Sequence, residues 1–277
     1  MRLGGKVTPR AATPDAWVAA VQAKGYRAAF APVGPDADGE TIAAYRQAAA
    51  DAELVIAEVG AWSNPLDDDR TRREAAMTKC IASLRLADAL GARCCVNIAG
   101  SRGARWDGPH PANLSNETFA MIVRSVQEII DTVQPTQAVY ALETMPWIFP
   151  DSVASYARLV EAIDRPQFGV HFDPVNVINS PERYFDNAQL IREFVAELGP
   201  QIRAVHIKDI LLRDTLTVHL DEVGPGEGGL ALDVLLRELA VLDADLPVML
   251  EHLPDEAAYD AAAAHVRSVA REVGVSL

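Results

Sequence analysis

Short apolar runs alternate with longer amphipathic stretches along the whole of this 277-residue chain. The runs, rich in β-branched and aromatic residues, lie at 27–33, 53–62, 93–100, 138–145, 168–175, 203–210 and 247–253, after a weaker run at 3–7. Near-continuous apolar strands that are each followed by an amphipathic helix predict a parallel sheet covered by helices. Eight such repeats over this length predict a closed (β/α)8 TIM barrel, an α/β fold, rather than an open doubly wound sheet.

The stretches between the runs have the 3.6-residue periodicity of helices. Clear examples are residues 13–25, 72–91 and 115–133, of which the first and third begin at a capping Thr or Ser and the first two end at Gly. No GxGxxG fingerprint follows the first strand, which argues against a dinucleotide-binding fold. Because no linker or low-complexity segment divides the chain, we predict one barrel domain over residues 1–277.

Charge and cysteine content narrow the classes of function. The chain has 25 Lys and Arg against 39 Asp and Glu, a net charge of −14, whereas a nucleic-acid partner requires a basic surface. No apolar run reaches the roughly 18–20 residues that span a bilayer, and the N-terminal MRLGGKVTPR lacks the apolar core of a signal peptide. Three cysteines without a CxxC pair suggest a reducing compartment. We therefore expect a cytoplasmic protein that binds neither nucleic acid nor membranes.

Four of the later strands carry a side chain suited to binding a metal. Glu143 ends the fifth strand, Asp173 the sixth and Glu251 the eighth, and His206 lies in the seventh. In a barrel of this kind the carboxyl ends of the strands meet at one mouth, so we expect the four side chains to converge. Three buried carboxylates would repel each other, and a divalent cation removes that repulsion.

One imidazole and three carboxylates without a thiolate favour Mn²⁺, Mg²⁺ or Co²⁺ and allow Zn²⁺. We take Mn²⁺ as the expected cofactor. Each residue alone is more often a helix cap, an ion-pair partner or a core histidine. The metal-site prediction depends on finding all four on consecutive strands.

Five short motifs resemble the sugar phosphate isomerase/epimerase superfamily, whose fold is a xylose isomerase-like TIM barrel. They are E-T-M at 143–145, F-D-P-V-N at 172–176, V-H-I-K-D at 205–209, G-P-G-E-G at 224–228 and L-E-H at 250–252. The superfamily includes ketose 3-epimerases, hydroxypyruvate isomerases and myo-inosose dehydratases. The match is close over strands five to eight and architectural over the first half.

The resemblance implies a metal-dependent sugar (phosphate) isomerase or epimerase. The four matching residues would bind the metal, and Glu143 and Glu251 would also move protons on opposite faces of the substrate. Many of these epimerases have a histidine where this chain has Asn176. An amide forms hydrogen bonds but does not titrate, so the surroundings of the metal differ here.

The chemistry expected of such a site is removal of a proton from a carbon next to a carbonyl, through a metal-stabilised enediolate. The same groups could instead expel a leaving group, as in a dehydratase or a lyase acting on keto-sugars and 3-keto-glycosides. Two further alternatives are a non-catalytic sugar-binding barrel and a nuclease resembling AP endonucleases, which the acidic charge disfavours. The expected partner is a small sugar or polyol, and the chain could form a homo-oligomer.

Six polar or aromatic residues are candidates for contacting the substrate: Asn176, Lys208, Trp62, Glu58, Asn97 and Arg102. Lys208 lies two residues after His206 and should share its face of the strand. The alternative for each is structural: a salt bridge for Lys208, an aromatic lid for Trp62 and a solvated loop for Arg102. We expect His171 to be a core or supporting histidine and His252 to face the helical layer.

Overall fold

A computed structural model of the chain describes residues 1–8 and 12–277. Eight parallel strands close into a barrel in the order β1-β10-β7-β6-β5-β4-β3-β2. The barrel strands are β1 (Arg2–Gly4), β2 (Ala28–Phe30), β3 (Val55–Gly60), β4 (Cys94–Asn97), β5 (Val139–Glu143), β6 (Phe168–Phe172), β7 (Ile202–Ile207) and β10 (Pro247–Leu250). The predicted barrel is therefore confirmed, and its strands are shorter than the apolar runs because each run continues into the loop at the mouth.

Helices follow the strands and cover the outside of the barrel. They are α1 (Pro14–Ala23), α2 (Gly39–Asp51), α3 (Arg70–Leu90), α4 (Asn116–Val133), α5 (Val153–Ile163), α6 (Pro174–Val177), α7 (Pro181–Phe185), α8 (Asn187–Leu198), α9 (Leu232–Ala240) and α10 (Glu256–Glu272). The predicted caps are confirmed for α1, where Thr13 accepts from an N–H, and for α4, where Ser115 does the same. Gly91 ends α3 at a φ of 69°, a left-handed conformation that glycine adopts without strain.

The hydrophobic core has an outer and an inner part. The main cluster combines strand and helix residues, such as Val126 of α4 and Leu235 of α9, and lies between the barrel and its helices. Two smaller clusters contain strand residues only: Cys94, Val96, Ala141 and Ala204 in one, and Ala28, Ala57 and Met249 in the other. Because alternate residues of a strand share a face, Ala141 and Ala204 lie on the inner face with Glu143 and His206. Small side chains deep in the barrel leave room for polar groups above them.

A two-stranded antiparallel hairpin, β8 (Asp209–Leu212) and β9 (Leu220–Val223), interrupts the barrel repeat after β7. The sequence predicted a single strand over residues 203–210, which was wrong at its end, because β7 stops at Ile207 and a new strand begins at Asp209. The hairpin brings Glu222 to the mouth of the barrel, next to Lys208. Among the described residues, no helix is both long and apolar enough to cross a membrane.

Candidate metal centre

The four predicted metal ligands meet at the carboxyl ends of their strands. Ligand atoms of Glu143, Asp173, His206 and Glu251 all lie within 4.8 Å of one another. Glu143, Asp173 and His206 are buried, and the Glu251 side chain is 12% exposed. His206 Nδ1 faces the carboxylates, 2.8 Å from Glu251 Oε1 and 3.3 Å from Glu143 Oε1. The strand register thus brings together one nitrogen and three oxygen donors from four strands.

Two of these oxygens make no hydrogen bond of acceptable geometry, although charged groups lie close to both. They are Asp173 Oδ2 and Glu251 Oε1, and both are buried. Lys208 Nζ lies 2.7 Å from Asp173 Oδ2 and 2.6 Å from Glu251 Oε1. Both oxygens are therefore ion-paired to the ammonium, but its N–H groups do not point at them well enough to form hydrogen bonds. Orphaned acceptors among clustered carboxylates fit a hard divalent cation, which accepts mixed N and O donors.

Asp173 owes its position to the short helix that follows it. Its Oδ1 accepts hydrogen bonds from the N–H groups of Val175 (2.9 Å) and Asn176 (3.2 Å), which caps α6. Thr144 holds the Asp173 backbone, because its Oγ1 donates to the Asp173 carbonyl and accepts from the Asp173 N–H. Pro174 occupies the first helical position, where no N–H is needed. The Asp-Pro pair therefore fixes Oδ1 in a cap and leaves Oδ2 directed into the cluster.

Lys208 supplies the positive charge that the cluster needs when no cation is bound. Lys208 is 2% exposed, and its ammonium also lies 3.3 Å from Glu222 Oε2. Burial alone would lower the pKa of Lys208, but the carboxylates of Asp173 and Glu251 raise it well above its ordinary value. A bound cation would use the same two oxygens, so the cation and the ammonium compete for them.

The surrounding charges also set the protonation of the ligands. Burial raises the pKa of Asp173 to about 6, with Lys208 opposing the shift. Burial likewise works against ionised Glu143 and Glu251, but His206 holds the pKa of both carboxyls below their usual range. Although burial lowers the pKa of His206, Glu251 and Glu58 raise it well above its ordinary value. In the metal-free protein His206 therefore carries a proton that a cation would have to displace.

A cavity of about 770 Å³ opens above the cluster. Its floor includes Glu143, Glu251, Lys208 and Asn176, and its walls include the indole of Trp62. Further lining residues are Lys6, Phe30, Ile98, Trp106, Met145, Glu222, His252 and Tyr259. The cavity is of the size that holds a small organic ligand.

Four of the six candidate substrate-binding residues border this cavity: Asn176, Lys208, Trp62 and Glu58. Asn176 Nδ2 donates to Glu143 Oε1 at 3.1 Å, Lys208 lies among the carboxylates, and Trp62 is 38% exposed at the wall. The structural salt bridge offered as the alternative for Lys208 is present as well. Its ammonium joins two of the candidate metal ligands, Asp173 and Glu251, to Glu222 of the hairpin.

The other two candidates lie away from the cavity, and the carboxylate of Glu58 already contacts two histidines. Asn97 is fully buried, and its amide bonds the N–H and carbonyl of Ser63. Arg102 pairs with Asp68 at 2.9 Å on the surface and does not line the cavity. Glu58 borders the cavity, but both of its oxygens contact imidazoles. Substrate contact therefore stays a prediction for these three residues: Asn97 and Arg102 lie outside the lining of the cavity, and the Glu58 carboxylate contacts two histidines.

His252 and Glu222 also border the cavity, which was not predicted from the sequence. His252 was expected to face the helical layer, but its backbone has a φ of 55° and turns the ring toward the mouth. Its Nδ1 lies 2.9 Å from Glu222 Oε1. This hydrogen bond is the main reason why the pKa of His252 is raised, with burial opposing it. Left-handed backbone in a residue other than glycine is strained and occurs often at functional sites.

The G-P-G-E-G loop is held in place by Asp209. The Asp209 carboxylate accepts hydrogen bonds from the N–H groups of Gly226 (2.9 Å), Gly228 (3.0 Å) and Leu230 (2.8 Å). A side chain at position 228 would collide with the Ile210 carbonyl and with Asp209, so glycine is required there. The Asp of the H-I-K-D motif therefore anchors this loop, and the glycines allow the loop backbone to come close enough to donate hydrogen bonds to it.

Comparison with known proteins agrees with this architecture. The family model described as xylose isomerase-like TIM barrel matches residues 18–269. No curated protein sequence matches the chain.

Solved structures with the same fold include D-psicose 3-epimerase from Clostridium cellulolyticum H10 with D-tagatose, at 15% identity and a TM-score of 0.69, covering 100% of both chains. A xylose isomerase-like TIM barrel protein from Mycobacterium smegmatis in complex with magnesium is 13% identical, with a TM-score of 0.68 over 98% of this chain and 96% of that chain. The probable 3-DHS dehydratase AsbF from Bacillus anthracis is 18% identical, with a TM-score of 0.67 over 96% of this chain and 97% of that chain.

Proposed function

The chain belongs to the xylose isomerase-like TIM barrel family, and we propose that it is a divalent-metal-dependent sugar isomerase or epimerase. It would move a proton on a carbon next to a carbonyl. The observation that carries the proposal is the convergence of one imidazole and three carboxylates within 4.8 Å at the floor of the cavity. Epimerases and an isomerase-like magnesium complex among proteins of the same fold support it.

Mn²⁺ is the proposed metal, and the donor set also suits Mg²⁺, Co²⁺ or Zn²⁺. Glu143, Asp173, His206 and Glu251 would hold it. The bound cation would polarise the substrate carbonyl and stabilise the negative charge that develops when the neighbouring carbon loses its proton.

Glu143 and Glu251 are the proposed proton carriers. Both border the cavity and come from strands β5 and β10, on either side of His206. In the metal-free protein His206 keeps the pKa of both carboxyls low, so both are ionised and able to accept a proton at neutral pH. One would remove the proton and the other would return it. Asn176, through its hydrogen bond to Glu143 Oε1, would hold that carboxylate in place.

The proposed substrate is a sugar or polyol. Trp62 and Trp106 present their rings to the cavity, where an aromatic face can pack against the C–H face of a sugar. The arginines of the loop after β4 are paired, Arg102 with Asp68 and Arg105 with Asp107, and neither lines the cavity. Lys208 is paired with carboxylates in the metal-free protein and would be released toward a substrate oxygen when a cation replaces it.

Solvent deuterium incorporation tests the proposal. The protein, with Mn²⁺ or after treatment with a chelator, is incubated in D₂O with a panel of free and phosphorylated ketoses, 3-keto sugars and inososes. We expect metal-dependent exchange at one carbon and its loss in Glu251→Gln. Glu256→Gln, at the start of α10 and outside the lining of the cavity, should exchange like the unmodified protein. Exchange that continues in Glu251→Gln, or without metal, would contradict the proposed mechanism.

A dehydratase or lyase is the second candidate, and the Glu222–His252 pair favours it. His252 borders the cavity next to Glu251 and is hydrogen-bonded to Glu222, so it could protonate a departing oxygen. The 3-DHS dehydratase AsbF has the same fold. Mass spectrometry of the products separates the candidates, because elimination releases water or an alcohol, whereas epimerisation leaves the mass unchanged apart from deuterium.

A further inference from the structure

A second buried cluster lies against His206 on the side away from the metal ligands. Glu58 of β3 is 3% exposed, and one carboxylate oxygen, Oε1, lies 3.2 Å from His206 Nε2. The other, Oε2, lies 2.7 Å from Nε2 of His171, which is fully buried. The two imidazole rings meet edge to face, with centroids 4.1 Å apart. Glu58 therefore bridges two histidines and uses both oxygens to do so.

The strand register explains why these three side chains meet inside the barrel. His171 is the register partner of Glu143 on one side and of Ala204 on the other, so it faces inward with them. Glu58 is the register partner of Cys94, whose small side chain belongs to the inner cluster. Small neighbours leave the space that an inward glutamate and histidine occupy.

The bridge constrains which nitrogen of His206 can bind a metal. An ionised carboxylate only accepts hydrogen bonds, so Nε2 of His206 must carry the hydrogen that faces Glu58. A neutral imidazole then has its lone pair on Nδ1, which is the nitrogen directed at Glu143 and Glu251. A carboxylate in this position fixes the ring orientation of a metal-binding histidine and makes it a better ligand.

We propose that Glu58 is a positioning residue that holds His206 in the Nδ1-coordinating tautomer, and that His171 in turn holds Glu58. This inference rests on the metal-dependent function proposed above. It replaces the sequence-based prediction that Glu58 contacts the substrate. It also assigns a role to His171, whose Nε2 restrains the carboxylate from rotating away from His206 while its Nδ1 has no partner.

Metal affinity and imidazole tautomer test the proposal without measuring turnover. Calorimetric titration with Mn²⁺ is compared for the unmodified protein, Glu58→Ala, Glu58→Gln and Cys94→Ala. Cys94→Ala is the matched control, because Cys94 is the register partner of Glu58 and its thiol donates to the Ala57 carbonyl. Imidazole ¹⁵N NMR of the Mg²⁺-loaded proteins reports which nitrogen of His206 carries hydrogen.

We expect Glu58→Ala to bind Mn²⁺ about 10- to 100-fold more weakly and to lose the single Nε2–H tautomer of His206. Glu58→Gln, whose amide oxygen still accepts a hydrogen bond, should lose less affinity and keep the tautomer. Cys94→Ala should bind Mn²⁺ like the unmodified protein. If Glu58→Ala does not fold, His171→Gln serves in its place, and we expect a weaker affinity from it because Glu58 loses a restraint.

Several results would overturn the proposal. Unchanged affinity and tautomer in the Glu58 variants would remove the positioning role while leaving the metal-dependent function intact. Equal loss of affinity in Cys94→Ala would show that packing, rather than the carboxylate, is responsible. Two Mn²⁺ ions per chain would show that Glu58, His171 and His206 form a second metal site. An unmodified protein that binds no divalent cation would overturn both this inference and the proposed function.

Discussion

The two halves of the barrel contribute differently to the same cavity. Strands β5, β6, β7 and β10 each bring an ionisable side chain to the mouth, and these four side chains form the candidate metal centre. Strands β1 to β4 border the cavity largely through apolar groups in and after them, such as Phe30, Trp62 and Ile98. The second half therefore carries the groups suited to chemistry, and the first half shapes the space in which a ligand would lie.

Polar residues in the first half bond within the protein instead. Asn97 ends β4 as Glu143 ends β5, but it is the register partner of Leu142 on the outer face of the barrel, where its amide is used by Ser63 and Cys80. Glu58 faces inward like the metal ligands, yet its oxygens are used by two histidines. A polar residue at the end of an apolar run thus indicates a reactive site only where neighbouring strands supply partners for the same ligand.

The largest expected effect is in the second half, at Asp173. Asp173→Asn retains a carbonyl oxygen for capping α6 but removes a charge from the metal ligands. We expect Mn²⁺ affinity to fall by more than about 100-fold and metal-dependent exchange to disappear. Isothermal calorimetry measures the affinity, and circular dichroism checks the fold. Retention of tight binding by Asp173→Asn would show that the metal lies elsewhere.

Lys208→Met should make the stability of the protein depend on metal. Removing the ammonium leaves three buried carboxylates with less compensation, and breaking a buried ion pair costs about 3–5 kcal/mol. We expect the metal-free variant to melt at a lower temperature and added Mn²⁺ to restore much of the loss. Lys24→Met is the control, because Lys24 also pairs with two acids, Glu256 and Asp260, but on the surface. If Lys208→Met lowers the melting temperature equally with and without Mn²⁺, the ammonium does not balance the negative charge of these carboxylates.

Asn97→Ala should behave in the opposite way and affect stability alone. The substitution leaves the backbone N–H and carbonyl of Ser63 without their side-chain partner in a partly buried loop. Unsatisfied buried groups of this kind cost about 1–3 kcal/mol, and chemical denaturation would measure the change. Mn²⁺ affinity should stay at the value of the unmodified protein. A loss of affinity would bring Asn97 back into the functional site.

Trp62→Ala should reduce affinity for the substrate with little effect on the metal. The indole packs against Gly60 at the end of β3 and offers its other side to the cavity. An aromatic contact of this kind contributes about 0.5–1.5 kcal/mol, so we expect KM to rise several-fold while kcat stays similar. Steady-state kinetics on the substrate found in the deuterium screen measures both. An unchanged KM would assign Trp62 to the aromatic lid rather than to the sugar.

Local patterns were sufficient to predict the barrel and the convergence of the four candidate metal ligands. The apolar runs and helical periodicities are local, and a parallel closed sheet then brings the ends of neighbouring strands together without further information. The features that were missed depend on the exact register of a strand or on single backbone angles. Asn97 was misplaced because it is the register partner of Leu142, on the outer face of the barrel, and not of Glu143. His252 was misplaced because a φ of 55° breaks the alternation that assigns faces to residues.

The smallest expected effect is at Asp88, where the two halves of the chain meet. This residue lies near the end of α3, and its Oδ1 accepts hydrogen bonds from the N–H groups of Thr136, Gln137 and Ala138, which lead into β5. Burial raises its pKa, but these N–H groups outweigh burial and hold the pKa below its usual range. A group with a lowered folded pKa stabilises the protein above its unfolded pKa of about 3.9, and that stabilisation is lost as pH falls through the lower folded value.

Asp88→Asn should therefore lower the stability of the protein near pH 7, and the difference should shrink as the pH falls below the unfolded pKa of about 3.9. Because the carboxylate is largely solvated, we expect a difference of less than about 1 kcal/mol near neutral pH. Urea denaturation at a series of pH values measures it, with Asp131→Asn, which removes a surface ion pair to Arg165, as the matched control. If Asp88→Asn lowers the free energy of unfolding by the same amount at pH 3 and pH 7, the shape of the side chain, rather than its charge, connects α3 to β5.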